Sequence, residues 1–321
     1  MNTHRRTLLM ALPFAISCFA NAQTKTPSRP VRIVVPYAPG GGVDAMTRRV
    51  AQKLTEQTGT TYFIENKAGA SGTIGTAQVA RAAPDGTTLL ANDGTYAILP
   101  YVFKSLPWDH ANDLVPVTTT SVSPAVLAVA PGPRFASLAE LIRYAKAHPG
   151  ELTYGTGGVG SSLHFATELF AQSAGIALRH IPFKGAGEAI AAVAAGTVDL
   201  GIGGPSSVLA LTQGGKLKAL AVSGSRRLAA LPTVPTFDEG GIRYEMSYWT
   251  GLAAPKGTSP DTVAFLQQQV ARSMESPDVR SYFSSIGAEP GGMASAQFAR
   301  FIKDDVMRWK DVAARAGIMP E

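Results

Sequence analysis

The chain has 321 residues, enough for two ordinary domains, and 45% of them are apolar, as expected of a globular protein with a sizeable core. The formal net charge of +6 is mild, and no dense run of Lys and Arg occurs, so the composition argues against nucleic-acid binding. With Cys18 as the single cysteine, a framework of internal disulfides is excluded.

The N-terminus has the three parts of a signal peptide. Arg5-Arg6 is a positive segment, residues 8–19 form an apolar stretch too short to span a bilayer, and Ala20-Asn21-Ala22 is a site of small residues suited to cleavage. We therefore predict a signal peptide at residues 1–22, cleavage after Ala22 and a periplasmic mature protein.

Two details of the export signal stay open. Arg5-Arg6-Thr7-Leu8-Leu9 resembles a twin-arginine signal, so this route stands beside the general one. Cys18 offers a lipidation site, but Ala15 stands where such signals usually have Leu, which disfavours lipidation.

Beyond the signal peptide, strands alternate with helices, a pattern typical of parallel sheets. Apolar runs predict the strands, and apolar residues at helical spacing predict the helices. The predicted strands are 33–35, 61–64, 87–91, 152–155, 178–183, 198–202 and 217–222. The predicted helices are 43–58, 74–81, 137–148, 163–174, 186–195 and 296–315, and two more begin at Ser259-Pro260 and Ser276-Pro277.

The same succession of strand, glycine-rich loop and helix occurs in both halves of the chain. It lies at residues 31–46, around Gly40-Gly41-Gly42, and at residues 152–174, around Gly155-Thr-Gly-Gly-Val-Gly160. Glycine allows backbone conformations closed to other residues, and helix N-termini carry unpaired N–H groups and the positive end of the dipole. Such a loop can hold an anion without a basic side chain. The alternative is a tight turn that binds nothing.

Two extended segments, residues 115–130 and 248–255, interrupt the alternation. We interpret them as crossings between two α/β lobes, with residues 23–122 and 246–321 in lobe 1 and residues 123–245 in lobe 2. Both glycine loops follow strands, and ligands of open α/β sheets bind at the carboxyl ends of strands. The two loops are therefore expected to face each other across a cleft.

Six motifs, in order, resemble one protein family. They are Pro36-Tyr-Ala-Pro-Gly-Gly-Gly-Val-Asp44, Glu65-Asn-Lys-Ala-Gly-Ala-Ser-Gly-Thr-Ile-Gly75, Tyr154-Gly-Thr-Gly-Gly-Val-Gly-Ser-Ser-Leu-His164 with Glu168-Leu-Phe170, His180-Ile-Pro-Phe-Lys-Gly185, Ala219-Leu-Ala-Val222 and Leu231-Pro-Thr-Val-Pro-Thr236. Through them, nearly the whole mature chain resembles the Bordetella-uptake-gene (Bug) receptors, the extracytoplasmic solute receptors of tripartite tricarboxylate transporters.

The resemblance implies a type II periplasmic-binding-protein fold, with two α/β lobes around a ligand cleft. It implies a small organic carboxylate as ligand, either a di- or tricarboxylate, an aromatic acid or an amino acid, held between the two loops partly through ordered waters. The other expected partner is the membrane permease of the transporter. No catalysis and no cofactor are expected, and the receptor is expected to be a monomer.

The resemblance also points to candidate ligand-binding residues, namely Tyr37, Ala38, Gly40 and Asp44 in lobe 1 and Thr156, Ser161, Ser162 and His164 in lobe 2. Three further candidates are Thr95, at a predicted strand end, Gly157, in the second glycine loop, and Lys184, whose charge suits a carboxylate. The sequence departs from the family at Gly203-Gly204, a position that often carries a side chain near the far end of the ligand.

Structural roles compete with ligand binding at several of these residues. Asp44 either orients water over the first loop or satisfies backbone N–H groups there, and one of Ser161 and Ser162 is expected to cap a helix while the other meets the ligand. His164 is more often a packed histidine than a ligand contact, and Lys184 either attracts a carboxylate or is solvated.

The alternative function is that of an exported nucleotide-dependent oxidoreductase, because residues 155–160 fit G-x-G-x-x-G between a strand and a helix. The acidic ribose partner expected about 20 residues later is absent, since that region reads Gly175-Ile-Ala-Leu-Arg-His180. A hydrolase has less support, because no G-x-S-x-G occurs and the five histidines show no zinc-binding spacing.

Overall fold

The computed structural model describes residues 29–132 and 134–320. The predicted signal peptide, its cleavage after Ala22 and Cys18 lie outside the described residues. Within the described ranges, none of the helices combines the length and the apolar character that crossing a bilayer requires.

The described residues form eleven strands and ten α-helices. The strands are Val31–Val35 (β1), Tyr62–Asn66 (β2), Thr88–Asp93 (β3), Leu114–Pro124 (β4), Val126–Val129 (β5), Thr153–Thr156 (β6), Arg179–Pro182 (β7), Leu200–Gly203 (β8), Lys218–Val222 (β9), Ser247–Pro255 (β10) and Glu289–Pro290 (β11). The helices are Gly42–Thr58 (α1), Thr73–Ala80 (α2), Thr95–Ile98 (α3), Leu138–Ala147 (α4), Ser162–Ala174 (α5), Ala186–Ala194 (α6), Pro205–Gln213 (α7), Pro260–Met274 (α8), Pro277–Ser285 (α9) and Ser295–Ala316 (α10).

The first sheet has the strand order β11-β4-β10-β3-β1-β2, with β1 parallel to both β2 and β3. Four of the five β1 residues are apolar and fully buried, as expected of a central parallel strand covered on both faces. Helix α1 buries Val50, Ala51 and Leu54 against this sheet and ends at Gly59, whose φ of 71° gives the left-handed cap that glycine favours.

The second sheet has the order β7-β6-β8-β5-β9, in which β6 pairs in parallel with β7 and β8, and β5 runs antiparallel to β8 and β9. Helix α4 starts at the predicted capping box, where Ser137 Oγ accepts a hydrogen bond from Glu140 N at 3.3 Å. The core of this sheet contains large buried rings such as Phe165, Phe170 and Phe237.

Two extended segments connect the sheets, which confirms the predicted two-lobed α/β fold. Strand β4 belongs to the first sheet and β5 to the second, with only Ala125 between them, and β10 returns to the first sheet. Ser223 ties the two crossings together, because its Oγ accepts a hydrogen bond from Ala125 N at 2.7 Å and donates one to Met246 O at 2.5 Å.

Helix α10 is a further link between the lobes. Near its N-terminus, Phe298 and Ile302 pack into the core of the first sheet, whereas Trp309, Val312 and Ala313 pack into the core of the second. A single 22-residue helix therefore contributes to both hydrophobic cores.

The predicted helices and strands agree with the observed ones apart from their ends, but two helices are absent from the sequence-based prediction. The polar loop expected after β3 instead turns into α3, which begins at Thr95. Helix α7 begins at Pro205, directly after Gly203-Gly204, and Pro at the first helical position is the signal that identifies it.

Candidate functional site

A cavity of about 280 Å³ lies between the two lobes. Five helices of both lobes present their first residues to it, namely Gly42 of α1, Thr95 of α3, Ser162 of α5, Ala186 of α6 and Pro205 of α7. The crossings form another wall through Ser121, Ser123, Ser247 and Thr250. The polar part of the wall therefore consists mainly of helix N-termini and hydroxyl groups, and apolar side chains such as Met46 and Leu163 line the remainder.

A larger depression of about 390 Å³ lies at the other end of the second sheet. It opens beside the ion pair of Arg134 and Asp199, near the end of β5 and the start of β8. It lies away from the carboxyl ends of the parallel strands, where ligands of such sheets bind. The cavity between the lobes is therefore the better candidate.

Asp44 holds the first glycine loop in place through hydrogen bonds. Its carboxylate accepts hydrogen bonds from Gly40 N at 2.9 Å, from Asn66 Nδ2 at 2.8 Å and from Arg48 Nε at 3.0 Å. Burial alone raises the pKa of Asp44, but the hydrogen bonds from Arg48, Gly40 and Asn66 outweigh burial and lower the pKa to about 2. The geometry therefore gives Asp44 a loop-positioning role.

Of the three glycines in the first loop, only Gly40 has a left-handed backbone, with φ of 87°. Gly41 is the N-cap of α1, and Gly42 opens the helix at the cavity wall. Ala38 and Gly40 are exposed and lie outside the cavity lining.

Tyr37 is connected to the cavity only through a hydrogen bond to Asp93, which lies at the end of β3. The Tyr37 hydroxyl donates to Asp93 Oδ1 at 2.6 Å, and Thr95 N donates to the same oxygen at 3.0 Å. Asp93 and Thr95 line the cavity, whereas Tyr37 does not. Burial raises the pKa of Asp93, and the hydrogen bonds from Tyr37 and Thr95 oppose this shift.

The two serines of the second loop differ in their surroundings. Ser161 is the N-cap of α5, since its Oγ accepts a hydrogen bond from His164 N at 3.3 Å. Ser162 is the first helical residue and lines the cavity.

His164 stabilises the second loop through a hydrogen bond and lies outside the cavity lining. Its Nδ1 accepts a hydrogen bond from Gly160 N at 3.1 Å, which assigns the ring proton of the neutral form to Nε2. The ring stacks on His180 at 4.0 Å, and His180 Nε2 is hydrogen-bonded to Thr156 Oγ1 at 2.5 Å. Burial, together with the neighbouring His180, lowers the pKa of His164 to about 4.

The remaining predicted residues lie around the second loop. A Cβ on Gly157 would come within 3.0 Å of Ala186 N, so this glycine allows the loop to pack against α6. Lys184 is exposed and outside the cavity lining. Gly204 lines the cavity, and a Cβ there would stand 3.6 Å from the Tyr248 ring.

Sequence reasoning missed the contribution of α10. Asp305 and Trp309, one helical turn apart, both line the cavity. Asp305 accepts hydrogen bonds from Trp249 Nε1 and from Arg308 Nη1, each at 2.8 Å, and burial raises its pKa. An aspartate and a tryptophan four residues apart on one helix face are only a weak sequence signal of a binding site. The packing of α10 across both lobes is what brings these two side chains to the cavity.

The fold and the cavity define a class of two-lobed solute-binding proteins, and the comparisons with known proteins give the family. Residues 46–318 match the model of the tripartite tricarboxylate transporter family receptor (TctC). The chain belongs to this family, which confirms the resemblance seen in its motifs.

Several relatives cover almost the whole chain. BugT of Bordetella pertussis is 36% identical over 294 residues, which are 91% of this chain and 90% of BugT. A Rhodopseudomonas palustris protein solved with adipate has a TM-score of 0.81 and 34% identity, covering 92% of this chain and 99% of that one. MatC of the same organism, solved with malate, has a TM-score of 0.75 and 30% identity, covering 89% and 99%.

Proposed function

We propose that this receptor captures a small organic carboxylate in the cavity between its lobes and delivers it to the membrane permease of a tripartite tricarboxylate transporter. The observation that carries this proposal is a cavity where helices from both lobes begin and which no Lys, Arg or His of the described residues lines. It supports recognition of an anion by backbone dipoles.

The physical basis is the charge distribution of helices. Each helix N-terminus carries roughly half a positive charge and several N–H groups without intrahelical partners. Helices α1, α5, α6 and α7 all direct such an end at the cavity. The hydroxyl of Ser162 adds a side-chain donor at the start of α5. A carboxylate removed from water needs such partners, because an unmet buried charge is unfavourable by several kcal/mol.

Two family members support the class of ligand, since one was solved with adipate and another with malate. Both ligands are aliphatic dicarboxylates. The ligand-binding roles of Tyr37, Ala38, Gly40, Asp44, Thr95, Thr156, Gly157, Ser161, Ser162, His164 and Lys184 stay predictions. Within this proposal, Thr95 and Ser162 contact the ligand or its waters, whereas Asp44, Ser161 and His164 hold the loops and the helix start that do so.

The proposal also includes export of the protein to the periplasm, delivery of the ligand to the permease and a role as a receptor and not as an enzyme. A receptor for a periplasmic ligand must leave the cytoplasm, and the signal peptide with cleavage after Ala22 supplies the route. The oxidoreductase alternative has less support, because the chain belongs to a receptor family and the packing of Gly157 against α6 accounts for one of its glycines.

A thermal-shift screen of the mature protein tests the proposal. The panel contains aliphatic di- and tricarboxylates, aromatic acids and amino acids, with NAD and NADP as the alternative ligands. A ligand at a hundredfold excess over its Kd stabilises the folded state by about 2.7 kcal/mol, which gives a readily measured rise in Tm. A shift with nucleotides but with none of the acids would refute the carboxylate receptor.

A further inference from the structure

We propose that the ligand carries an ammonium group close to its carboxylate, and that Asp93 pairs with this ammonium. The inference rests on the proposed function, which supplies the carboxylate end of the ligand, and names the narrower class of amino acids. The charged side chains that line the cavity point to this class of ligand.

Among the described residues, the charged side chains that line the cavity are two aspartates, Asp93 and Asp305. Their surroundings differ. Asp305 forms an ion pair with Arg308 at 2.8 Å and also accepts the Trp249 indole N–H, so its charge is compensated within the protein. Asp93 accepts hydrogen bonds only from neutral donors, which belong to Tyr37 and Thr95.

No cation of the described residues stands beside Asp93. None forms a salt bridge with it, and none contributes to its pKa. The Tyr37 hydroxyl and Thr95 N–H stabilise the ionised carboxylate, because both donate to it. Burial raises the pKa of Asp93, so this carboxylate lacks the cationic partner that would stabilise its ionised form in a cavity that otherwise favours anions.

The Asp93 carboxylate lies next to the first anion-binding loop. Strands β1 and β3 are parallel neighbours, so the loop after β1 and Asp93 at the end of β3 meet at one edge of the sheet. The hydrogen bond from Tyr37 to Asp93 joins the two directly. Gly42 and Val43, at the start of α1, and Asp93 line the same small cavity.

A ligand in this cavity lies close both to the positive end of the α1 dipole and to the carboxylate of Asp93. A carboxylate at the start of α1 is favoured by the helix dipole but repelled by Asp93, and a second carboxylate on the ligand would add to the repulsion. An ammonium group a few bonds from the carboxylate removes this conflict, because it pairs with Asp93 in a partly desolvated site. The cavity thus matches a zwitterion better than a plain dicarboxylate.

The test compares acids that differ only in the amine, using isothermal titration of the mature protein. The matched pairs are L-alanine and propionate, L-glutamate and glutarate, and 4-aminobutyrate and butyrate, with L-lactate and 2-hydroxyglutarate as hydroxyl analogues. The twenty standard amino acids are first screened by thermal shift. We expect an amino acid to bind more tightly than its deaminated and hydroxylated partners.

The variant Asp93→Asn keeps an oxygen that can accept from Tyr37 and Thr95 but removes the charge. It should weaken binding of the amino acid by roughly thirtyfold, the low end for breaking a buried charge pair, while binding of the deaminated acid stays equal or improves. Asp304→Asn is the charge-matched control, because Asp304 is exposed on α10 and outside the cavity lining. It should change neither affinity more than twofold.

Three outcomes separate this inference from the proposed function. Tighter binding of glutarate, propionate or a hydroxy acid than of the matching amino acid would overturn the inference and leave the carboxylate receptor standing. An Asp93→Asn variant that loses both members of a pair equally, with an unchanged Tm, would also overturn it. Absence of binding by every acid would overturn the proposed function and, with it, the inference.

Discussion

At the scale of single residues, adjacent serines at the start of α5 have separate tasks. Ser161 caps the helix through a hydrogen bond to the backbone N–H of His164, whereas Ser162 lines the cavity. Capping contributes to the stability of the folded state whether or not ligand is present. A hydroxyl directed at a charged ligand contributes only when the ligand is bound.

We therefore expect the two single variants to separate stability from binding. Ser161→Ala should lower the free energy of unfolding without ligand by about 1 kcal/mol, the usual loss for a cap. Ser162→Ala should keep that free energy and weaken ligand binding by about tenfold, as expected for one hydrogen bond to a charged group. Urea unfolding and calorimetric titration measure the two quantities. Equal effects of the two variants on both quantities would contradict this division.

At the scale of the element, the second glycine loop depends on a stacked histidine pair. His164 must be neutral at Nδ1 to accept the Gly160 N–H, and its pKa is lowered to about 4 from an ordinary value of 6.5. The unfolded chain therefore binds more protons than the native state between pH 6.5 and pH 4. The stability contributed by this residue is present above pH 6.5 and is lost as the pH falls towards 4.

The variant His164→Phe keeps an aromatic ring in the stack and removes the acceptor. At pH 7 it should destabilise the protein by about 1–3 kcal/mol, because the Gly160 N–H is left buried and unpaired. Between pH 7 and pH 4.5 wild type should lose on the order of 2 kcal/mol more stability than the variant. Urea unfolding at both pH values measures this, with His148→Phe, at a half-exposed histidine, as the control. Parallel pH profiles for wild type and His164→Phe would disprove the role of His164.

At the scale of the whole molecule, a close contact connects the lobes besides the two crossings. Gly160, in the loop after β6, lies against Val102, in the segment between β3 and β4, and a Cβ on Gly160 would stand 2.7 Å from a Val102 methyl. We propose that the lobes close on the ligand by a hinge at the crossings, as paired-lobe receptors do, and that this contact belongs to the closed form.

The variant Gly160→Ala tests this closure, with Gly175→Ala as its matched control. Both glycines have a left-handed backbone, with φ of 75° and 62°, so both variants should lose about 1–2 kcal/mol of stability. Only Gly160→Ala introduces a clash between the lobes, since a Cβ on Gly175 meets nothing within 4 Å. It should therefore weaken ligand binding by about ten- to a hundredfold, the equivalent of overpacking by 1–3 kcal/mol.

Calorimetric titration gives the two affinities, and small-angle scattering with and without saturating ligand gives the radius of gyration. Wild type and Gly175→Ala should become more compact with ligand, and Gly160→Ala should show a smaller change. Equal affinities and equal compaction in the two variants would show that the Gly160 contact has no part in closure.

The sequence by itself determined the local structure and, through its motifs, the family. The signals for β1, α1, α4 and α5 are local ones: apolar runs, capping serines, prolines at helix starts and glycines at helix ends. Because such signals depend only on neighbouring residues in the chain, these elements could be predicted from the sequence. The two strand-loop-helix units and the two extended crossings were readable for the same reason, and together they fixed the two-lobed fold.

Only the tertiary structure decided which residues line the cavity and with which charge. Asp93 and Asp305 are 212 positions apart, and nothing local distinguishes the aspartate paired with Arg308 from the one without a cation. Likewise, Ser161 and Ser162 share one motif, and only the direction of α5 assigns one to the cap and the other to the cavity. These assignments depend on packing between distant segments, because the burial and the partners of a side chain are set by the elements that surround it.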